Sequence, residues 1–345
     1  MGGLKRLEYR GYDSAGVAIV GPDGSLVSHK RAGKLSILAD DLTARPLTAG
    51  QTGIAHTRWA THGAPTDVNA HPHLADGGKL ALIHNGEEFV SETDSEVAAL
   101  MLATEFRALG NLTEAMRAVV GRLEGAFTLL AVHSDAPDLV VGARRNSPLV
   151  VGLGEGENFL GSDVAAFVAY TQRALSLGQD QIVTITPDLV EVITFEGEPV
   201  TPEAFTIDWD ASAAEKGGWS SFMAKEISEE PEAVANTLRG RITADGAVTL
   251  PELDSVLEGG SGLSRIIFIA CGTAAYASML GAYAIEKWSG IPVSVELSHE
   301  FRYRDPAVGP DTLVVSVSQS GETMDTLMAV RYASERGAKT LSICT

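Results

Sequence analysis

The chain has 345 residues, 45% of them hydrophobic and 21% charged, enough to bury cores in about two domains of about 150 residues each. With 26 Lys and Arg against 45 Asp and Glu, the net charge is −19, a field that repels phosphate backbones and anionic lipid and argues against nucleic acid as a partner. Only two cysteines occur, Cys271 and Cys344, which argues against a disulfide framework or a multi-Cys zinc site and fits a reducing cytoplasm. The first thirty residues hold no apolar h-region, and no run approaches the roughly 18 apolar residues of a membrane span.

Short apolar runs at Val17 to Val20, Gly53 to His56 and Lys79 to His84 read as strands, since each is bounded by Gly, Pro or polar residues. Apolar residues at helical spacing predict helices over Asp94 to Leu109 and Leu112 to Leu123. Strands follow at Ala126 to Val132, Leu139 to Ala143, Leu149 to Leu153 and Gln181 to Thr186, a mixture that predicts an α+β layered fold. The polar, small-residue stretch Glu196 to Ser220 reads as a linker, followed by a helix around Met223 to Leu238. From Arg265 to Cys344 the rhythm becomes strand, helix, strand, strand, helix, strand, the pattern of a parallel α/β sheet. The last apolar run ends beside Thr345, so this second domain is expected to be cut short.

Chemistry-bearing residues crowd behind the second strand. His56-Thr57-Arg58-Trp59-Ala60-Thr61-His62-Gly63 is followed by Asn69-Ala70-His71-Pro72-His73, at a strand end where sheets present ligand-binding side chains. Individually, such histidines are often satisfied turn or core residues. A metal site is the rival reading, for which His-x-His in a Pro-containing loop is thin support, so no metal is expected. His84-Asn85-Gly86 ends the third strand; an Asn amide and a Gly N–H pointing to one spot suit a developing oxyanion, and an Asn-Gly hairpin turn is the other reading. In Ser91-Glu92-Thr93-Asp94, Thr93 or Asp94 can cap the next helix, and Asp94 could equally hold an ammonium group.

The second domain repeats one physical idea. Cys271-Gly272-Thr273-Ala274 and Ser318-Gln319-Ser320-Gly321-Glu322-Thr323 each run from a strand end into a helix. Free N–H groups, hydroxyls and a positive helix end make such turns phosphate cradles, although well-capped helices would look the same. Neither turn matches a P-loop or G-x-G-x-x-G, which favours a small phosphorylated ligand over a nucleotide.

Taken together, Leu7-Glu8-Tyr9-Arg10-Gly11-Tyr12-Asp13-Ser14-Ala15-Gly16, the His56 to Gly63 run, His84-Asn85-Gly86 and Ser91 to Asp94 resemble the glutaminase domain of the isomerizing glutamine–fructose-6-phosphate aminotransferase family. The turns at Cys271 and Ser318, with Glu300-Phe301-Arg302-Tyr303-Arg304 between them, resemble its first sugar-isomerase (SIS) subdomain. The resemblance implies a four-layer, N-terminal-nucleophile type of α+β domain over 1–207, a linker and connecting helix over 208–240, and an incomplete parallel α/β subdomain over 241–345. It implies transfer of the glutamine amide nitrogen to fructose 6-phosphate, giving glucosamine 6-phosphate and glutamate, in a cytoplasmic homodimer without a cofactor. In the family an N-terminal cysteine attacks the amide, and ammonia passes through an internal channel.

Carried onto this sequence, Asn85 and Gly86 would form the oxyanion hole, while Arg58 and Asp94 would grip the α-carboxylate and α-ammonium of glutamine. Thr61 and His62 would line that pocket, and Trp59 would sit on the loop gating the channel. Cys271, Gly272, Thr273, Ser318, Gln319, Ser320 and Thr323 would hold the sugar phosphate. The sequence also departs from the family. Met1-Gly2-Gly3-Leu4 stands where the family enters with Met-Cys-Gly, only Glu87 to Val90 separate the Asn-Gly turn from Ser91, and Ala274 replaces a common Ser. The second isomerase subdomain is expected to be missing from this chain. The alternative expectation is therefore a catalytically inactive fragment, poorly stable for want of a strand, that at most binds glutamine or a sugar phosphate.

Overall fold

The computed structural model describes residues 1–8, 11–47, 49–60, 64–85, 94–207, 219, 222–243, 245–250, 253, 262–319, 321 and 323–344; of residues 85, 94 and 222 it describes the backbone. The chain divides into two compact units, Met1–Lys225 and Glu226–Thr345.

The first unit runs α1 (Gly2–Arg6), β1 (Ser14–Val20), β2 (Leu26–Ala32), α2 (Leu35–Ala44), β3 (Thr52–Arg58), β4 (His73–Ala75), β5 (Leu80–Asn85), α3 (Asp94–Leu109) and α4 (Leu112–Val120). It continues through β6 (Phe127–His133), β7 (Ala136–Arg145), β8 (Val150–Leu153), β9 (Asn158–Gly161), β10 (Arg173–Ser176), β11 (Gln181–Ile185), β12 (Val190–Thr194) and β13 (Glu203–Thr206). Among the described residues these strands form three sheets, ordered β2-β1-β3, β12-β11-β7-β6-β5-β4 and β13-β10-β8-β9.

Alternation along β5 explains the layering. Leu80 and Leu82 point to one face, where they join Leu129, Val141 and Ile182 beneath Leu102 of α3 and Leu112 and Met116 of α4. Ala81 and Ile83 point to the other face, against Ala18 and Val20 of β1 and Ile54 of β3. A two-residue period thus commits one strand to two cores. Leu130 and Val140 on that second face also touch the cluster of Leu149, Val151 and Leu177 from the third sheet. The two smaller sheets therefore share one side of the six-stranded sheet. Outside β1, Leu35 and Leu38 of α2 pack with Ala15 and with Leu4 of α1. From one side to the other the order is helices, sheet, sheets, helices.

The ends of α4 are set locally. The Asn111 side chain accepts a hydrogen bond from the Glu114 N–H at 3.0 Å, satisfying one of the helix's unpaired donors. Gly16 marks a close approach: a Cβ there would lie 2.0 Å from the His71 carbonyl oxygen.

The linker expected over Glu196 to Ser220 begins later than its composition indicates. Glu203–Thr206 pair antiparallel with β10, Arg173 opposite Thr206, and Ile207 is buried beside Phe167 and Ala174. All four residues of β13 are exposed, so no apolar alternation announces the strand, which a backbone ladder ties to β10.

The second unit contains most of α5 (Phe222–Leu238), then β14 (Arg265–Ala270), α6 (Gly272–Ser289), β15 (Val293–Leu297), α7 (Ser298–Phe301), β16 (Thr312–Val317), α8 (Met324–Glu335) and β17 (Lys339–Ile343). Its sheet is parallel throughout, ordered β15-β14-β16-β17. Ile267, Ile269 and Val314 pack under Phe301, Ala329 and Ala333 on one face, while Ile266, Phe268, Leu313 and Val315 pack with Ala282 of α6 on the other. Near-continuous apolar runs in β14 and β16 follow from this two-sided burial. Gly290, with φ +68°, ends α6 in the left-handed conformation, its N–H returning to the Glu286 carbonyl.

Candidate functional site

In the first unit the polar residues gather where β3, β4 and β5 meet the start of α3. Arg58 closes β3 opposite Ser14 of β1, and its side chain is only 6% exposed. Gly11 permits this, because a Cβ at that position would come within 2.4 Å of the Arg58 carbonyl carbon. Trp59 turns outward to solvent with its ring 5.2 Å from that of Tyr12, and the following Ala60 N–H donates to Asp13 Oδ2 at 2.8 Å. Asn85 ends β5 opposite Thr128, and Asp94 opens α3. Thr61, His62 and Gly86 lie outside the described residues, as do the side chains of Asn85 and Asp94.

Between these elements stands a buried histidine cluster. The His56 and His71 rings are 4.5 Å apart, and His71 meets His73 edge-on at 4.7 Å. Ser95 Oγ lies 2.9 Å from His71 Nε2 and 3.2 Å from His84 Nδ1. Burial first, and Arg58 second, push His56 down to about 4. Burial first and Lys30 second do the same to His73, also to about 4. His71 falls well below the ordinary histidine value, again chiefly through burial. Neutral rings at neutral pH follow, since desolvation penalises the charged form. No group of three or more His, Cys, Asp or Glu among the described residues is arranged to hold a metal ion.

The sequence pattern pointed to His56, His71 and His73 but gave no sign of Ser95 or Lys30. Lys30, half-buried on β2, donates to the Val68 and Ala70 carbonyls at 3.0 and 2.7 Å, and burial lowers its ammonium below the usual lysine value. With Arg31, Arg45, Asp67, His73 and Glu96 it lines an open groove of about 550 Å³.

In the second unit the two Ser/Thr/Gly turns lie side by side. β14 and β16 are adjacent parallel strands, α6 leaves one to cover one face and α8 leaves the other to cover the opposite face. This is a topological switch point, where open α/β sheets bind ligands beyond the strands' carboxyl ends. Cys271 is the N-cap of α6, and its Sγ lies 3.8 Å from His299 Nδ1. Gly272 and Thr273 are exposed in the first turn of α6. In the second turn Ser318 Oγ contacts Thr323 Oγ1 at 3.2 Å and accepts the Gly321 N–H at 3.2 Å; Gln319 is exposed, and Ser320 lies outside the described residues. Ser298 and Thr326 bond at 3.0 Å, tying α7 to the first turn of α8.

The SIS domain family matches residues 262–345, the segment that forms this parallel sheet. Curated relatives called glutamine–fructose-6-phosphate aminotransferase [isomerizing] match the chain from end to end. That of Leifsonia xyli subsp. xyli is 66% identical, covering 100% of this chain and 58% of the relative. That of Streptomyces coelicolor is 57% identical with the same coverages, and that of Corynebacterium efficiens is 56% identical over 99% of this chain and 58% of the relative. The chain thus spans less than two thirds of the length of the relatives it matches. A solved C-terminal domain of glucosamine-fructose-6-phosphate aminotransferase from Francisella tularensis is 41% identical, covering 38% of this chain and 36% of that one, with a TM-score of 0.34. The chain is similar along essentially its whole length to the isomerizing glutamine–fructose-6-phosphate aminotransferases, and residues 262–345 carry a SIS domain.

Proposed function

We propose that the chain serves the transfer of the glutamine amide nitrogen to fructose 6-phosphate, supplying the glutamine-binding and the first sugar-phosphate-binding parts of that reaction. The observation that carries this reading is the joining, in one chain, of relatives bearing this name at 66% identity to a switch-point pair of phosphate-type turns. Residues 1–207 form the glutaminase domain, 208–240 the linker and connecting helix, and 241–345 the first isomerase subdomain. The layer order of the first unit, helices against sheet against sheets against helices, supports the N-terminal-nucleophile type of fold.

In this reading the buried Arg58 guanidinium binds the α-carboxylate of glutamine and Asp94 its α-ammonium, a charge-complementary pair of contacts. Thr61 and His62 complete the pocket, and the exposed Trp59 belongs to the loop above it. Asn85 and Gly86 donate to the oxyanion that forms when the amide carbon becomes tetrahedral. Both cysteines of this sequence belong to the second unit, and the role of these first-unit residues is to bind, orient and stabilise. On the sugar side Cys271, Gly272, Thr273, Ser318, Gln319, Ser320 and Thr323 surround the phosphate with N–H groups, hydroxyls and two helix N-termini. The partners are glutamine, fructose 6-phosphate and a second copy of the chain, and the setting is the cytoplasm. No described helix is long and apolar enough to cross a membrane.

Calorimetric titration of the 345-residue chain tests the reading. Glutamine binding that Arg58→Ala abolishes, together with fructose 6-phosphate binding that Arg58→Ala leaves intact, is the expected result. Failure of fructose 6-phosphate and inorganic phosphate to bind would overturn the sugar-phosphate assignment.

A further inference from the structure

The short helix α7 is anchored at both ends. Ser298 and Phe301, three residues apart and so on one face of the turn, are fully buried. Ser298 Oγ bonds to Thr326 Oγ1 of α8 at 3.0 Å, and Phe301 packs with Ile267, Ile269 and Val314 of the sheet. Arg302, just past the helix, reaches Asp325 Oδ1 of α8 at 3.4 Å. His299 follows Ser298 and is exposed. Its Nδ1 lies 3.8 Å from the Sγ of Cys271, the N-cap of α6. A segment tied to the first turn of α8 thus sets an imidazole beside the head of α6.

The Cys271 side chain caps no N–H of α6, and the Thr323 side chain caps none of α8, so first-turn N–H groups of both helices are left to another acceptor. A phosphate at the first turn gains nothing from the long-range field of a chain with net charge −19 and depends on donors within reach. The imidazole can be one of them, because its hydrogen-bond contact is with a thiol, a weak partner, and it has a second ring nitrogen. We propose that His299 is a phosphate-binding residue of the sugar-phosphate site, donating from its ring to a phosphate oxygen held at the first turn of α6. Ser298, Phe301 and Arg302 fix where that ring stands. His299 thereby favours a phosphorylated sugar over the same sugar without phosphate. The proposal rests on the sugar-phosphate reading above and adds a residue that lies in neither of the two Ser/Thr/Gly turns.

Calorimetric titration of the 345-residue chain with fructose 6-phosphate, inorganic phosphate and fructose tests the assignment. His299→Ala is expected to weaken fructose 6-phosphate by about tenfold, the worth of one charge-assisted hydrogen bond, and to weaken inorganic phosphate with it. Tm is expected to stay unchanged, because the side chain is exposed. The same loss is expected when His299→Ala is added to Cys271→Ala, since a ring that touches the phosphate does not act through the thiol. Wild-type binding of fructose 6-phosphate that His299→Ala leaves intact would overturn the role of His299 while the sugar-phosphate reading stands. A loss that vanishes in the Cys271→Ala background, or one seen with fructose as well, would equally remove the ring from the phosphate. A wild-type chain that binds neither fructose 6-phosphate nor inorganic phosphate would sink the reading and the proposal together.

Discussion

Ile269 of β14 lies opposite Ser316 of β16 in a parallel register, so the chain leaves the sheet at Cys271 and at Ser318 on neighbouring strands, both at the carboxyl edge. Two helices thus follow strand ends at the same edge of the sheet. Ser318→Ala removes a hydroxyl that could donate to a phosphate there and that now accepts the Gly321 N–H. One charge-assisted hydrogen bond of ~1.5 kcal/mol corresponds to about tenfold in affinity. Calorimetry with fructose 6-phosphate is expected to show that loss, and an unchanged affinity would remove Ser318 from the site.

Acid should weaken the first unit through its histidines. In the folded chain His56 and His73 titrate at about 4, whereas in the unfolded chain they titrate near 6.5. Above pH 6.5 both states are neutral and the rings impose no pH dependence. As pH falls from about 6.5 to about 4 the unfolded chain takes up protons that the native chain refuses, so stability drops, by at most ~3 kcal/mol for each ring. Below about 4 this contribution levels off. Urea unfolding at pH 7.5, 6 and 5 checks the trend; a midpoint that holds steady or rises over that series would contradict it.

Gly16→Ala is expected to be among the most damaging single-atom additions to the first unit. The new Cβ would meet the His71 carbonyl oxygen at 2.0 Å and Lys30 Cβ at 2.7 Å. Relief requires β1 to move away from the segment that holds the histidines. A cost of about 3 kcal/mol lowers Tm by about 10 °C for a unit of this size. Differential scanning calorimetry reads it, and a shift under about 2 °C would mean that the backbone gives way more easily than the packing implies.

On α3, Leu102 and Leu100 are two residues apart and have opposite fates. Leu102 is fully buried against the six-stranded sheet, and Leu100 is 51% exposed. Leu102→Ala should cost about 3 kcal/mol through lost transfer energy and a residual cavity, and Leu100→Ala no more than about 0.5 kcal/mol. Denaturant unfolding of the two variants side by side measures the contrast, and equal effects would reverse the assigned face of the helix.

Much of this architecture was legible in the residues. The span of α3 matches its apolar periodicity at both ends, and β14 coincides with the run Arg265 to Ala270. Strand β2 was not legible. Its Ser28, His29, Lys30 and Arg31 are all half-buried, so the edge strand shows neither alternation nor an apolar run. The short strands β9, β10 and β13 were hidden for a related reason, four residues being too few to display a period. In the site, the motif residues named the neighbourhood, and His56, His71 and His73 do come together. Ser95 was invisible as a partner because its contacts reach back 24 and 11 residues, to His71 and His84. Local spacing holds no trace of such contacts; only the folding of α3 onto β5 creates them.

Lys30 gives the first unit a gauge of its own intactness. Its ammonium donates to the Val68 and Ala70 carbonyls at 3.0 and 2.7 Å, contacts that must break before the nitrogen can act as a nucleophile. An acylating reagent that marks exposed lysines, such as Lys79, will pass over Lys30 for as long as β2 remains docked on that loop. The mass of one peptide, labelled or unlabelled at a single position, therefore distinguishes molecules in which the histidine-bearing segment is seated from those in which it has come away.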